Sequence, residues 1–373
     1  MAWQKHGLAV RGYAVMFKFG AWLQNLPNLL TPAPYRLLQI GSAFWQSRAL
    51  YVAASLDIAG VLADEAYSAD NVAVRVKADA DALYRLLRML AAMGVFQESP
   101  PRTFRNNALS GCLRRDHPQS VRAMILMHNS AEMSRPWFEQ LENGIRSGEV
   151  PFERGHGQAF YRYLDSHAEF DALFAQAMQN VEALSGDYFA TDFDWRRFRR
   201  IIDVGGSKGG KALAILKRHP QLTALVFDRA AVVDKAAGYW RGKVEPEVQA
   251  RMQFQAGDLM AAVPGARDSS DAYLLSAVMH GISDDDCIRV LRNLATACNG
   301  SGARVAILEL VLADGKADTL GTGCDMQMLM ATRGRERTLP EWQGLFDSSG
   351  WRLEQRVRLR GAGAILLLQQ ALA

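Results

Sequence analysis

The run Arg200-Ile-Ile-Asp203-Val-Gly205-Gly-Ser207-Lys-Gly209-Gly-Lys211-Ala212-Leu-Ala-Ile215 decides how this chain is read. Ile201, Ile202 and Val204 are β-branched and close together, the composition of a short buried strand. Glycines follow, and then Ala212, Leu213 and Leu216 mark one face of a helix. Strand, glycine turn and helix start in succession make the place where an α/β sheet holds a nucleotide. Glycine lets backbone approach a ligand, and the first turn of a helix offers free N–H groups.

Three nucleotide readings compete. The dinucleotide pattern G-x-G-x-x-G lacks its second glycine, because Ser207 stands there. The phosphate-loop pattern G-x-x-x-x-G-K-[ST] is met by Gly205, Gly210 and Lys211 but ends in Ala212, which has no hydroxyl for Mg²⁺. The third is an acid-x-Gly-x-x-x-Gly turn from Asp203 to Gly209, of the kind that binds S-adenosylmethionine. An acid at the strand end suits a ligand carrying an ammonium and a sulfonium and would repel a triphosphate. Charge favours the third reading, and purely structural glycines are the bland alternative to all three.

At 373 residues the chain suits two domains. We expect a mostly helical half over 1–190 and an α/β half over 191–373, joined near Thr191-Asp-Phe-Asp-Trp-Arg-Arg-Phe-Arg-Arg. A hydrophobic fraction of 49% and a charged fraction of 22% are ordinary for a globular protein. A formal charge of +4 does not argue for nucleic acid as a partner. The four cysteines form no C-x-x-C pair, so reduced thiols in a cytoplasmic protein are expected and a structural zinc is not. Residues 8–30 are apolar but interrupted by Arg11, Lys18, Gln24 and Asn25, and no run reaches the length of a membrane span. A helix burying its apolar face on a partner subunit is the better reading there than a membrane-surface helix.

Within the first half, residues 37–62 carry apolar positions at helical spacing. Asp79 is placed to cap a helix striped by Leu83, Leu86, Leu87 and Leu90, which Gly94 ends. Val95-Phe-Gln-Glu98 ahead of Pro100-Pro101 reads as a hairpin arm, and helices followed by a hairpin suggest a winged-helix arrangement. The helix over 83–93 bears only Arg85 and Arg88, too few polar side chains to read DNA. Further on, Phe160, Tyr161, Tyr163, Phe170, Phe174, Met178 and Tyr188 read mainly as helical core, although such side chains also suit the wall of a flat apolar ligand.

From 200 onward, strand and helix patterns alternate as in a doubly wound sheet. Asp203, Asp228, Asp258, His280 and Glu309 all fall at or near expected strand ends, where open sheets of this kind bind ligands. Any one could be a cap; together they point to a site.

Several further segments are distinctive: His219-Pro220, Val226-Phe-Asp228, Gly257-Asp258, Leu275-Ser-Ala-Val-Met-His280, Ser283-Asp-Asp-Asp-Cys287, Asp325-Met-Gln-Met328 and Gly334-Arg-Glu-Arg-Thr338. With the glycine turn they make the chain resemble the S-adenosylmethionine-dependent small-molecule O-methyltransferases of the plant caffeate and bacterial natural-product type. Ala49-Leu-Tyr-Val-Ala-Ala54 and Arg85-Leu-Leu-Arg-Met-Leu-Ala-Ala-Met-Gly94 are similar to that family's dimerisation domain. The resemblance implies a Rossmann-like C-terminal sheet, a helical, winged-helix-like dimerisation domain and a homodimer. It also implies an aromatic hydroxyl acceptor and no metal. His280 then corresponds to the general base, flanked by Glu309 and Glu336. Asp203, Gly205, Ser207, Asp228, Asp258, Leu259 and Ser276 correspond to cofactor positions, and Phe174, Met178, Met328 and Thr332 to acceptor positions.

The chemistry is coherent: a phenol of pKa about 10 is protonated at neutral pH, and a neutral imidazole oriented by a carboxylate can take its proton. The sequence departs from the family pattern at three places. Ser207 replaces a glycine, Gly281-Ile282 stand where Asp-Trp is usual, and Arg229-Ala230 replace Leu-Pro. These departures keep open a cofactor-binding enzyme that performs hydroxylation or cyclisation instead.

Overall fold

The computed structural model describes residues 3–99, 101–236, 238–315, 318–361 and 363–371. The chain forms two compact units, Met1–Lys18 with Ser185–Ala373, and Phe19–Leu184. Helix α1 (Gly7–Leu30) runs from the first into the second, and α2 (Ala168–Ser185) closes the second.

The first unit is built on seven strands: β1 (Arg200–Val204), β2 (Thr223–Asp228), β3 (Met252–Ala256), β4 (Asp271–Ser276), β5 (Arg304–Glu309), β6 (Trp351–Arg358) and β7 (Ala364–Gln370). Their order across the sheet is β6-β7-β5-β4-β1-β2-β3. The first five run parallel, while β7 inserts antiparallel between β5 and β6, with Ala364 opposite Glu309. Both faces are covered, so the central strands alternate between two cores rather than between core and water. Ile201, Leu274, Ala306 and Ile365 face one side with Leu213 and Leu216 of α3 (Gly210–Arg218). Ile202, Tyr273, Ile307 and Leu366 face the other, with Val290, Leu291 and Leu294 of α4 (Asp284–Cys298). The Ser283 hydroxyl caps α4 by accepting from Asp286 N, and three acidic residues occupy the first turn, as the positive end of a helix favours.

Two features were not legible in sequence. Strands β6 and β7 lie beyond the last expected strand, and the N-terminal tip is part of the sheet unit. Trp3 stacks on Phe193 and Phe198 and donates from Nε1 to Glu354, while Gln4 bridges Phe193.

The other unit is helical, with a three-stranded antiparallel sheet joining Ala66–Ser68, Thr103–Arg105 and Gln97–Ser99. Asp79 accepts from Ala82 N at the start of the helix Ala80–Ala92, and Gly94 follows in the left-handed region, as expected. The hairpin arm is present, with Pro100 outside the described residues. The single apolar stripe over 37–62 is broken into helices Ala33–Gly41, Ala43–Ser55 and Ile58–Leu62. Asp57 sits at φ 55, a left-handed residue that ends one helix and starts the next without altering the apolar period. Part of the aromatic run is core: Phe160, Tyr163 and Phe170 are buried, Phe174 and Met178 are half-buried, and Tyr161 and Tyr188 are exposed, against the expectation of a mainly buried run.

Candidate active site

The site is assembled at the carboxyl ends of β1, β2, β4 and β5. After β1 the chain turns through Gly205 (φ +73), Ser207 (φ +52) and Gly209 (φ +79) into α3. A side chain at Gly205 would strike Val278 at 2.7 Å, and one at Gly209 would strike Val226 at 2.9 Å. Close packing of neighbouring side chains as well as φ therefore favours glycine there. Ser207, where the family uses glycine, adopts the left-handed conformation all the same. Its N–H donates to Asp228 Oδ2 at 2.8 Å, so the carboxylate at the end of β2 holds the turn in shape. Asp203 is 1% exposed beneath Gly206.

The phosphate-loop alternative fails on its lysine: Lys211 Nζ lies 4.7 Å from the centre of the Phe189 ring, stacked on an aromatic face of the core. A tight turn lined by carboxylates and lacking a free cation fits an electropositive ligand. Asp258 follows β3 and accepts from Met260 N, Leu259 packs against the sheet core, and Ser276 ends β4.

After β4, Ala277 (φ 53) turns the chain into a single 3₁₀ turn, Met279–Gly281, that carries His280. Glu309, at the end of β5, takes the N–H groups of Val278 and Met279 on Oε1, both at 2.9 Å. Its other oxygen stands 3.6 Å from His280 Nδ1. Glu336 is the closer partner, with Oε1 2.9 Å from Nδ1. Both carboxylates are on the Nδ1 edge, which puts Nε2 on the opposite side of the ring. Burial lowers the His280 pKa, but Glu309 and Glu336 outweigh it and push it up to about 9, with Arg337 acting against them. These three groups also have ligand-capable atoms within 4.8 Å of one another, the one such cluster of metal-ligating side chains among the described residues.

Met328 and Thr332 lie on and just after α5 (Thr319–Ala331), which leads into Glu336. Thr332 Oγ1 accepts from Gly334 N and shapes that descent. Phe174 and Met178 lie on α2 in the other unit. Sequence reasoning missed Arg337, a 1% exposed guanidinium beside His280, because within Gly334-Arg-Glu-Arg-Thr338 it reads as one more surface charge.

Fold and site define a class: an α/β enzyme with a glycine turn for an electropositive nucleotide and a carboxylate-paired histidine near it. A family model described as an O-methyltransferase domain matches residues 138–352, and an O-methyltransferase dimerisation domain matches 38–116. The phenazine O-methyltransferase PhzM of Lysobacter antibioticus is 34% identical over 86% of this chain and 91% of its own length. The structure of the mitomycin 7-O-methyltransferase MmcR is similar at TM-score 0.83 and 28% identity, covering 91% of this chain and 98% of that one. NcsB1, an O-methyltransferase from neocarzinostatin biosynthesis in complex with S-adenosylmethionine and 2-hydroxy-5-methyl naphthoic acid, gives TM-score 0.74 and 28% identity over 88% and 96%. The chain belongs to the O-methyltransferase family and is an S-adenosylmethionine-dependent O-methyltransferase of the secondary-metabolite type.

Proposed function

We propose that the enzyme methylates a hydroxyl of an aromatic or polycyclic small molecule, with His280 as general base. The observation that carries this reading is the His280 Nδ1–Glu336 contact of 2.9 Å, which commits one ring nitrogen and leaves Nε2 to meet a proton. Bound S-adenosylmethionine supplies an electrophilic methyl on a cationic sulfur. Asp203, Gly205, Ser207, Asp228, Asp258, Leu259 and Ser276 would hold it around the turn. Nε2 takes the acceptor proton, Glu336 stabilises the imidazolium that results, and Glu309 keeps the loop in register. Phe174, Met178, Met328 and Thr332 are assigned to the acceptor, since methionine thioethers suit the faces of a flat ring. The naphthoic acid bound to NcsB1 supports an aromatic acceptor for this chain.

The domain match over 38–116 and the exposed apolar side chains of the helical half support a homodimer. No helix among the described residues is long and apolar enough to cross a membrane.

A panel of hydroxylated polycycles incubated with methyl-labelled donor tests the substrate class. Label is expected on an oxygen of at least one of them, and no transfer to any aromatic hydroxyl would contradict the reading. The same assay in EDTA is expected to be unchanged, because Glu309 Oε1 already serves two backbone donors. Loss of activity restored by a divalent cation would instead make the His280 cluster a metal site.

A further inference from the structure

We propose that Arg337 is a positioning residue for the reaction: its guanidinium, held by Asp284, fixes the carbonyl edge of the His280 loop and thereby sets where the His280 ring stands. The proposal rests on the reading of His280 as base.

The loop cannot hold itself. It leaves β4 through Ala277 at φ 53, a conformation an alanine adopts only where its surroundings impose it. It then makes one 3₁₀ turn, within which Gly281 N donates to Val278 O at 3.2 Å. One such turn fixes several dihedral angles for a single hydrogen bond, which is unfavourable alone. Outside groups must supply the order.

They come from two sides. Glu309 collects the N–H groups of Val278 and Met279, as described. On the carbonyl side, Arg337 Nη1 donates to Met279 O at 3.0 Å and Arg335 O at 3.2 Å. Nη2 donates to Ile282 O at 3.2 Å and Asp284 Oδ1 at 2.7 Å, and Nε donates to Asp284 Oδ1 at 3.0 Å. A guanidinium has five N–H donors, and here each has an acceptor. Two of those acceptors, Met279 O and Ile282 O, bracket His280. The cation is 1% exposed, and three carbonyl dipoles with one carboxylate compensate its burial. Lysine, with three donors on a point charge, cannot reproduce this fork.

The neighbours of Arg337 bear on the same loop. Glu336, the preceding residue, bonds His280 Nδ1, and its own N–H donates to Asp325 Oδ1. Gly334 comes so close that a side chain there would overlap the His280 carbonyl oxygen. A single extended stretch thus carries both the partner of the ring and the clamp of its backbone. It also explains how the loop keeps its shape with Gly281 and Ile282 after the base, residues that bring no polar side chain of their own.

The test uses Arg337→Lys and Asp284→Asn in the full-length enzyme, each alone and combined with His280→Gln. Turnover is measured at saturating donor and acceptor, and S-adenosylhomocysteine affinity by calorimetry. Asp284 is half-exposed, so its variant keeps the core intact. Arg337→Lys is expected to lower kcat on the order of ten- to a hundredfold, the scale of a misplaced catalytic group. Asp284→Asn is expected to lower it less, with product affinity within about twofold of wild type for both. Because Arg337 acts through His280, neither change should lower the residual rate of His280→Gln further. Unchanged kcat in Asp284→Asn, or an equal loss with and without His280, overturns the proposal. If Arg337→Lys does not fold, Asp284→Asn decides alone. A fully active His280→Gln would instead remove the base assignment on which the proposal stands.

Discussion

His280 stands between two buried carboxylates that have different tasks. Glu336 bonds the ring, whereas Glu309 spends one oxygen on backbone N–H groups and faces the ring only at 3.6 Å. Glu336→Gln is therefore expected to lower kcat by about 10²-fold with little change in stability. Glu309→Gln is expected to lower the melting temperature as well, because the amide offers a donor where the loop presents donors. Activity assays paired with thermal unfolding separate the two. The pH dependence follows from the same geometry. A base must be neutral, and with the His280 pKa pushed up to about 9 the free enzyme is largely protonated at neutral pH, so kcat/KM should climb up to about pH 9. The stability effect has the opposite sense. A pKa raised in the folded state above the ordinary 6.5 contributes stability in full below pH 6.5 and loses it as the pH rises through about 9. The gap in denaturant midpoint between wild type and His280→Gln should shrink over that window. A constant gap would mean that the histidine is not held as a cation.

At the scale of elements, what was legible was what local pattern records. β2 and β4 are apolar runs closed by a polar residue at the ligand end, and β1 carries Asp203 one residue before its end, so the strand-end positions of these residues could be read from the sequence. β6 could not, since Trp351–Arg358 alternates long polar side chains as an edge strand does, and its pairing partner comes later in the chain. The breaks at Ser42 and Asp57 were invisible because the apolar period continues across them. The clamp on the His280 loop was invisible for another reason: it is made of backbone carbonyls, which every residue has. Two glycines separate packing from propensity. Gly334→Ala should displace the His280 loop and depress turnover, because its Cβ overlaps the His280 carbonyl. Gly344→Ala, in the helix Leu339–Asp347 with open space around it, should stabilise by about 0.5–1 kcal/mol and leave turnover unchanged. Equal effects from both would contradict the packing argument.

At the scale of the molecule, the chain forms two compact units, with the first eighteen residues counted in the sheet unit. Trp3 explains that membership, and an isolated tryptophan ahead of a helix gave no sign of it. From that anchor, α1 exposes Val15, Met16, Phe17, Phe19 and Trp22, the last at 54%. So much apolar surface on one helix is expected to be covered by a second copy. The paired change Phe19→Glu and Trp22→Glu should shift the proposed homodimer toward monomer in sedimentation, and an unchanged sedimentation coefficient would place any interface elsewhere.

The central claim is that His280 takes the acceptor proton while a sulfonium donor rests on the Asp203–Gly209 turn. The most direct measurement compares wild type and His280→Gln for labelled methyl transfer and, on the same samples, for S-adenosylhomocysteine affinity. Turnover should fall by about 10²–10⁴-fold with affinity retained. A variant that transfers methyl at the wild-type rate, or a wild type that does not bind the product at all, would contradict it.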